Sequence, residues 1–150
     1  VACTDSSPHP QLTLIESVSR RRMQSLISSG EWGKLSEDQL KRLQDSIDAT
    51  THFWIGMVDK DLICAFGIAE PSFLTDRAYF WVWPTEKLQK HVFVFTRRSQ
   101  IVVKDLLMRF ETLFGHCDTT EPGSKRWLKW LGAKFGEADG AMIPFEIRRG

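Results

Sequence analysis

The chain has 150 residues, a length suited to one domain, with 42% hydrophobic and 26% charged residues; that balance supports an ordinary core and excludes global disorder. Its formal charge of +1 supplies no bulk attraction to nucleic acid or to a membrane surface, and no apolar run approaches the ~20 residues that a membrane span needs. Six Trp and ten Phe beside a single Tyr point either to an aromatic-rich core or to an adhesive binding face.

Residues 1–11 read as a flexible, polar, Pro-containing tail without a signal-peptide apolar region, leaving 12–150 as the single domain. From Leu12 to Ser29, the residues Leu12, Ile15, Met23 and Leu26 share a helical stripe, and Gly30 supplies a stop. Within that helix Arg20-Arg21-Arg22 reads as a solvated basic face or as a contact for phosphate or an acidic partner. A second helix opens on a capping-box pair, Ser36 with Gln39, carries Leu40, Leu43 and Ile47 at helical spacing, and ends near Thr50. The pattern then changes to strands. Residues 53–58 and 62–69 flank the short polar turn Asp59-Lys60-Asp61, which makes a hairpin. Glu70-Pro71-Ser72 breaks it, and residues 78–83 form a third strand closed by Pro84.

From His91 to Phe114 two patterns overlap: Val92-Phe93-Val94-Phe95 alone reads as a strand, while the spacing of Phe95, Val102, Val103, Leu106, Phe110 and Leu113 favours one long helix, starting as late as Phe95. A short extended piece over 115–119, a Pro122-Gly123 turn and a helix from Ser124 to Leu131 follow, with Gly132 placed as a left-handed cap residue. Residues 142–148 form a last strand. The sum is an α/β (α+β) domain whose mixed, mostly antiparallel sheet is flanked by helices. The three cysteines, Cys3, Cys64 and Cys117, lack the paired spacing of a disulfide framework, and no second ligand pair stands near His116-Cys117 to build a metal site.

One segment is more specific. Ser124-Lys-Arg-Trp-Leu-Lys-Trp-Leu-Gly-Ala-Lys-Phe135 resembles the acetyltransferase (GNAT) segment in which an aromatic-bearing helix ends in Leu-Gly and leads to the last strand. Upstream, Thr85-Glu-Lys-Leu-Gln-Lys-His91 and Phe95-Thr-Arg-Arg-Ser99, with the closing Ile143-Pro-Phe-Glu-Ile147, are similar to a phage and prophage branch of these proteins. That branch includes the small internal virion proteins of short-tailed phages, and the likeness spans about residues 53–148.

The resemblance implies a GNAT-like domain and, in active members, acetyl-coenzyme A as acyl donor. It also implies a Gln/Arg-x-x-Gly-x-Gly/Ala loop that offers backbone N–H groups to the pyrophosphate. That glycine pattern is absent, and residues 84–91 contain no glycine at all. Lys87, Lys90, His91, Arg97, Arg98 and Ser99 remain as candidate phosphate contacts. Leu128 stands where a tyrosine acid is expected, so the acid–base candidates are Glu70, His91 and Glu121, with His116 as a further substitute. The branch likeness and the missing marks lead to an expectation of a catalytically degenerate, virion- or ejection-associated protein that binds other phage proteins. Such a protein would sit in the virion or the host cytoplasm and would use Trp32, Trp83 and Trp130 as candidate docking residues. The alternative is an acetyl-coenzyme A-dependent N-acetyltransferase with an atypical pyrophosphate loop.

Overall fold

A computed structural model describes residues 13–70, 74–119 and 123–150. The chain runs β1 (Thr13–Val18), α1 (Arg20–Ser28), α2 (Glu37–Ala49), β2 (His52–Val58), β3 (Asp61–Ala69), β4 (Arg77–Pro84), a 3-10 turn (Glu86–His91), α3 (Val92–Arg109), β5 (Thr112–Asp118), α4 (Ser124–Trp130), β6 (Lys134–Phe135) and β7 (Met142–Arg148). The strands make one seven-stranded sheet in the order β1-β2-β3-β4-β5-β7-β6. All neighbours are antiparallel except β4 and β5, which run parallel. No helix among the described residues is long and apolar enough to cross a membrane.

Helices cover both faces of the sheet, so the central strand β3 is buried from Leu62 to Ile68 without alternation. On one face Met23, Leu43 and Ile47 from α1 and α2 pack with Phe53, Ile55, Leu62, Ala65 and Trp81. On the other, Val103, Leu106 and Leu128 from α3 and α4 pack with Phe66, Phe80, Leu113 and Phe145. Burying each large aliphatic side chain contributes about 1.5–3 kcal/mol.

The first helix is shorter than the apolar spacing predicts. Thr13–Val18 is an edge strand paired with β2, and the helix begins only at Arg20. Ser19 is the reason: its backbone is extended, and its Oγ accepts from the Arg22 N–H at 3.1 Å as an N-cap. Upstream of that cap, the β-branched Thr13, Ile15 and Val18 favour a strand. The basic triplet is not uniform. Arg20 donates to the carbonyls of Ile47 (2.5 Å) and Thr50 (2.9 Å), closing the C-terminus of α2, whereas Arg21 and Arg22 are exposed. The α2 capping box is present as expected.

The long helix also differs from its predicted span. It starts at Val92 and stops at Arg109, so Leu113 and Phe114 belong to β5 and not to the helix. Phe110 has extended backbone angles, and Arg149 donates to the carbonyls of Leu107 and Met108, stabilising this end. The Phe110-to-Leu113 spacing mimics a helix, but in the strand Leu113 and Cys117 face α3 and α4 while Phe114 and His116 point to the other side.

Two local arrangements set the geometry around α3. At the hairpin, the buried His91 donates from Nε2 to Asp61 Oδ2 at 3.0 Å, and Lys87 Nζ lies 3.8 Å from the other oxygen. At β5, Gly115 comes so close to β4 that a Cβ would lie 2.5 Å from the Phe80 carbonyl oxygen and 2.9 Å from the Phe145 ring.

Gly115→Ala should therefore destabilise the protein by about 1–3 kcal/mol, the range for overpacking a filled site; an unchanged urea midpoint would refute the close approach. The hydrogen bond from His91, opposed by desolvation and aided by the charges of Lys87 and Lys90, holds the Asp61 carboxyl below its ordinary 3.8. A depressed carboxylate contributes stability above its unfolded value and loses it as pH falls through the folded one. Asp61→Ala should lower the melting temperature at neutral pH, with the gap from wild type closing in acid. A gap constant across that pH range would remove the clasp as its cause.

Candidate active site

The parallel pair β4–β5 is joined only at its start, where Arg77, Ala78 and Tyr79 meet Thr112, Leu113 and Phe114. Beyond Tyr79 the strands separate, and among the described residues β4 has no strand partner on that edge. Gly115 stands at the apex of this wedge, against Phe80. A chamber of about 420 Å³ opens from the wedge and reaches both faces of the sheet.

Its two sides differ in chemistry. Toward α2 it is lined by Gln39, Arg42, Asp45, Ser46, Tyr79, His116 and Asp118. Arg42 lies 3.8 Å from Asp118, so one cation and one carboxylate are mutually engaged across the rim. His116 is exposed to the chamber, with its ring 6.1 Å from that of Tyr79. Tyr79 packs edge-on against Phe114 at 5.6 Å, and burial raises its phenol pKa, which keeps it protonated as a donor. Toward α3 and α4 the lining is Phe80, Val82, Cys117, Trp127, Leu128 and Phe145, almost wholly apolar. A polar side with an imidazole and a dry side with aromatic walls suits the transfer of a group between a basic acceptor and an apolar donor arm.

The residues singled out from sequence fall in different places. Glu70 is exposed at the end of β3 and lines neither cavity described here. Glu121 lies outside the described residues. His91 is buried, with its Nε2 committed to Asp61, and Lys87 shares that carboxylate. Lys90, Arg97 and Arg98 are exposed around the start of α3, where no side chain caps the helix. Ser99 is buried: its hydroxyl donates to the Thr96 carbonyl (2.8 Å) and accepts from Trp127 Nε1 (2.9 Å), tying α4 to α3.

Among the three docking candidates, Trp32 is buried at 6% exposure and donates its indole N–H to the Trp83 carbonyl at 3.1 Å, so it is no part of an exposed face. Trp83 is half-buried in the chamber wall, and Trp130 is 51% exposed. Tyr79, Arg42 and Asp118 line the chamber without having been candidates from sequence, and His116 was there only one of several acid–base substitutes. The signal was the alternation Phe114-Gly115-His116-Cys117-Asp118, which becomes legible once the strand is begun at Thr112.

No protein-family model and no curated protein sequence matches the chain. Its fold, by contrast, has solved counterparts. A spermidine N-acetyltransferase SpeG chimera from Vibrio cholerae and hSSAT superposes with a TM-score of 0.64 at 14% identity, over 91% of this chain and 95% of that one. The Campylobacter jejuni N-acetyltransferase PseH superposes at 0.61 with 10% identity, over 93% and 99%. An IAA acetyltransferase from Bacillus cereus reaches 0.67 with 9% identity, over 92% and 100%. Identities this low carry the architecture and nothing finer, and that architecture is plain: the chain is a single α/β domain with the GNAT acetyltransferase fold.

Proposed function

We propose that the protein is an acetyl-coenzyme A-dependent N-acetyltransferase with an atypical pyrophosphate site. The observation that carries this reading is the wedge between β4 and β5, which opens at Gly115 into a chamber holding His116. The acetyltransferase descriptions of the structural neighbours support it.

The residues fit the donor in part by shape and in part by charge. The unpaired edge of β4 past Tyr79 offers room beside backbone for a pantetheine arm. Lys90 just before the uncapped start of α3 and Arg97 and Arg98 in its second turn are exposed and would hold phosphate by charge-assisted contacts in place of a glycine cradle. When bound, acetyl-coenzyme A supplies an activated acyl thioester. On the α2 side, His116 accepts the proton that the acceptor amine loses as it attacks. Tyr79, kept protonated by burial, donates to the departing sulfur. The apolar wall of Phe80, Val82 and Leu128 excludes water that would hydrolyse the thioester.

A second reading, a protein-binding component of a phage particle, rests on Phe93, which is 87% exposed at the start of α3, and on Trp130 on α4. Calorimetric titration with acetyl-coenzyme A separates the two. Binding is expected, with Arg98→Ala weakening it by about 1–3 kcal/mol, the value of a charge-assisted hydrogen bond. No binding at millimolar ligand would discard the enzyme reading in favour of the second. In a thiol-release assay over a panel of amines, His116→Ala should lower turnover by about 10²–10⁴-fold, the usual contribution of a general base. Its affinity for acetyl-coenzyme A should be unchanged. Equal turnover in the variant would take the base role away from His116.

A further inference from the structure

A second, smaller cavity lies beside the chamber on the α3 side of the sheet, with a volume of about 40 Å³. We propose that this slot receives the tail of acyl groups longer than acetyl, so that the protein accepts short- to medium-chain acyl thioesters; the inference rests on the acyltransferase reading above.

Three residues, Phe80, Val82 and Trp127, line both cavities. An acyl group whose carbonyl lies in the wedge therefore has only that shared wall between its terminal carbon and the slot. The wall is set by a polar bond as well as by packing. Trp127 donates its indole N–H to Ser99 Oγ at 2.9 Å, and its ring lies 5.2 Å from that of Phe95. Trp127 is the member of that wall that a longer acyl chain would have to displace.

The slot's chemistry selects an aliphatic occupant. Ile63, Phe66, Val82 and Val102 offer hydrocarbon, and the Ser99 hydroxyl is already engaged with Thr96 and Trp127. Cys64, also in the lining, has its thiol pushed up to about 12 by burial and brings no charge. The single charged member, Arg98, is exposed. The floor depends on Gly56, where a Cβ would lie 3.1 Å from Cys64 Sγ and 3.8 Å from Ile63, so any side chain there would enter the slot. The volume corresponds to roughly three water-sized spheres, or about two to four carbons beyond acetyl.

The transfer itself is unchanged by the longer chain. The amine nitrogen bonds to the thioester carbonyl carbon and loses its proton to His116. The carbon–sulfur bond breaks, and the sulfur leaves with the electron pair and is protonated, giving an N-acyl amide and free coenzyme A.

The test is a calorimetric series with acetyl-, butyryl-, hexanoyl- and decanoyl-coenzyme A on the wild-type chain. Affinity should rise roughly fourfold per methylene up to the capacity of the slot and then stop rising. Gly56→Leu should bring hexanoyl-coenzyme A back to the acetyl value while leaving acetyl-coenzyme A binding as in wild type. A flat or falling wild-type series overturns the slot and leaves the acetyltransferase reading standing, whether or not the variant folds. Failure of every thioester, acetyl-coenzyme A included, overturns both.

Discussion

The close approach of Gly115 to the Phe80 carbonyl is the constraint on which the site depends. Parallel strands β4 and β5 share three paired residues and then part, and the point of parting is fixed where a Cβ would collide with backbone. Backbone cannot swing aside as a flexible side chain can, so the apex is defined by the absence of one carbon atom. On the far side of β5, pairing with β7 continues without interruption from Thr112 to Asp118, which holds the strand straight while β4 diverges. The wedge is thus a product of ordinary sheet hydrogen bonding on one edge and its termination on the other. The chamber, the position of His116 and the two-sided lining all follow from it.

The aromatic wealth of the chain acquires a physical meaning in the same way. Three indole N–H groups meet acceptors inside the protein: Trp32 at the Trp83 carbonyl, Trp81 at Thr50 Oγ1 and Trp127 at Ser99 Oγ. Each joins separate elements, the first two fixing the α1–α2 layer to β4 and the third fixing α4 to α3. A buried indole left without an acceptor is destabilising, so each bond also selects one packing arrangement. Gly67 belongs to this scheme, because a Cβ there would meet Trp81 and Thr50 at 2.8 Å. The composition allowed both a core and a sticky face; the structure places three of the six tryptophans in joints between elements and leaves Trp130 outward.

Much of the fold was legible because local signals agreed with the global arrangement. The Ser36–Gln39 capping box, the 59–61 turn and the Leu131-Gly132 helix end each carry a residue-level cause that no tertiary contact overrides. The errors arose where two periodicities fit the same residues. Ile15 matches a helical stripe, yet Ser19 caps a helix that starts after it; Phe110 and Leu113 match helical spacing across a chain reversal. The two-residue β6 is too short for any pattern. The site was less legible still. Arg42, Tyr79 and the His116–Asp118 pair are far apart in sequence, belong to three elements, and form no motif. The pairing of β4 with β5 and the packing of α2 over them bring these residues together. Conversely, of two residues attractive as phosphate ligands in a basic segment, His91 turns inward to Asp61, thirty positions earlier in the chain, and Lys87 pairs with the same carboxylate from the surface, which no local reading could anticipate.

That inward turn bears on how a glycine-free loop can still serve a donor site. A glycine cradle works by exposing consecutive N–H groups at a helix start, with geometry supplied by backbone freedom. Here the segment between β4 and α3 is instead a 3-10 turn. Thr85 closes its front, donating to the Leu62 carbonyl and accepting from the Lys87 N–H, and the His91–Asp61 bond closes its back. The turn is thus tied to the β2–β3 hairpin at both ends, and it leads into α3 with Lys90, Arg97 and Arg98 in solvent. On the proposed reading, recognition of phosphate shifts from shape to charge. Contacts of that kind tolerate varied ligand poses, but they are screened by salt in a way that a backbone cradle is not. The same exchange of shape for charge removes the sequence motif while leaving intact the wedge in which transfer would occur, so the missing glycines and the retained chamber are compatible features of one site.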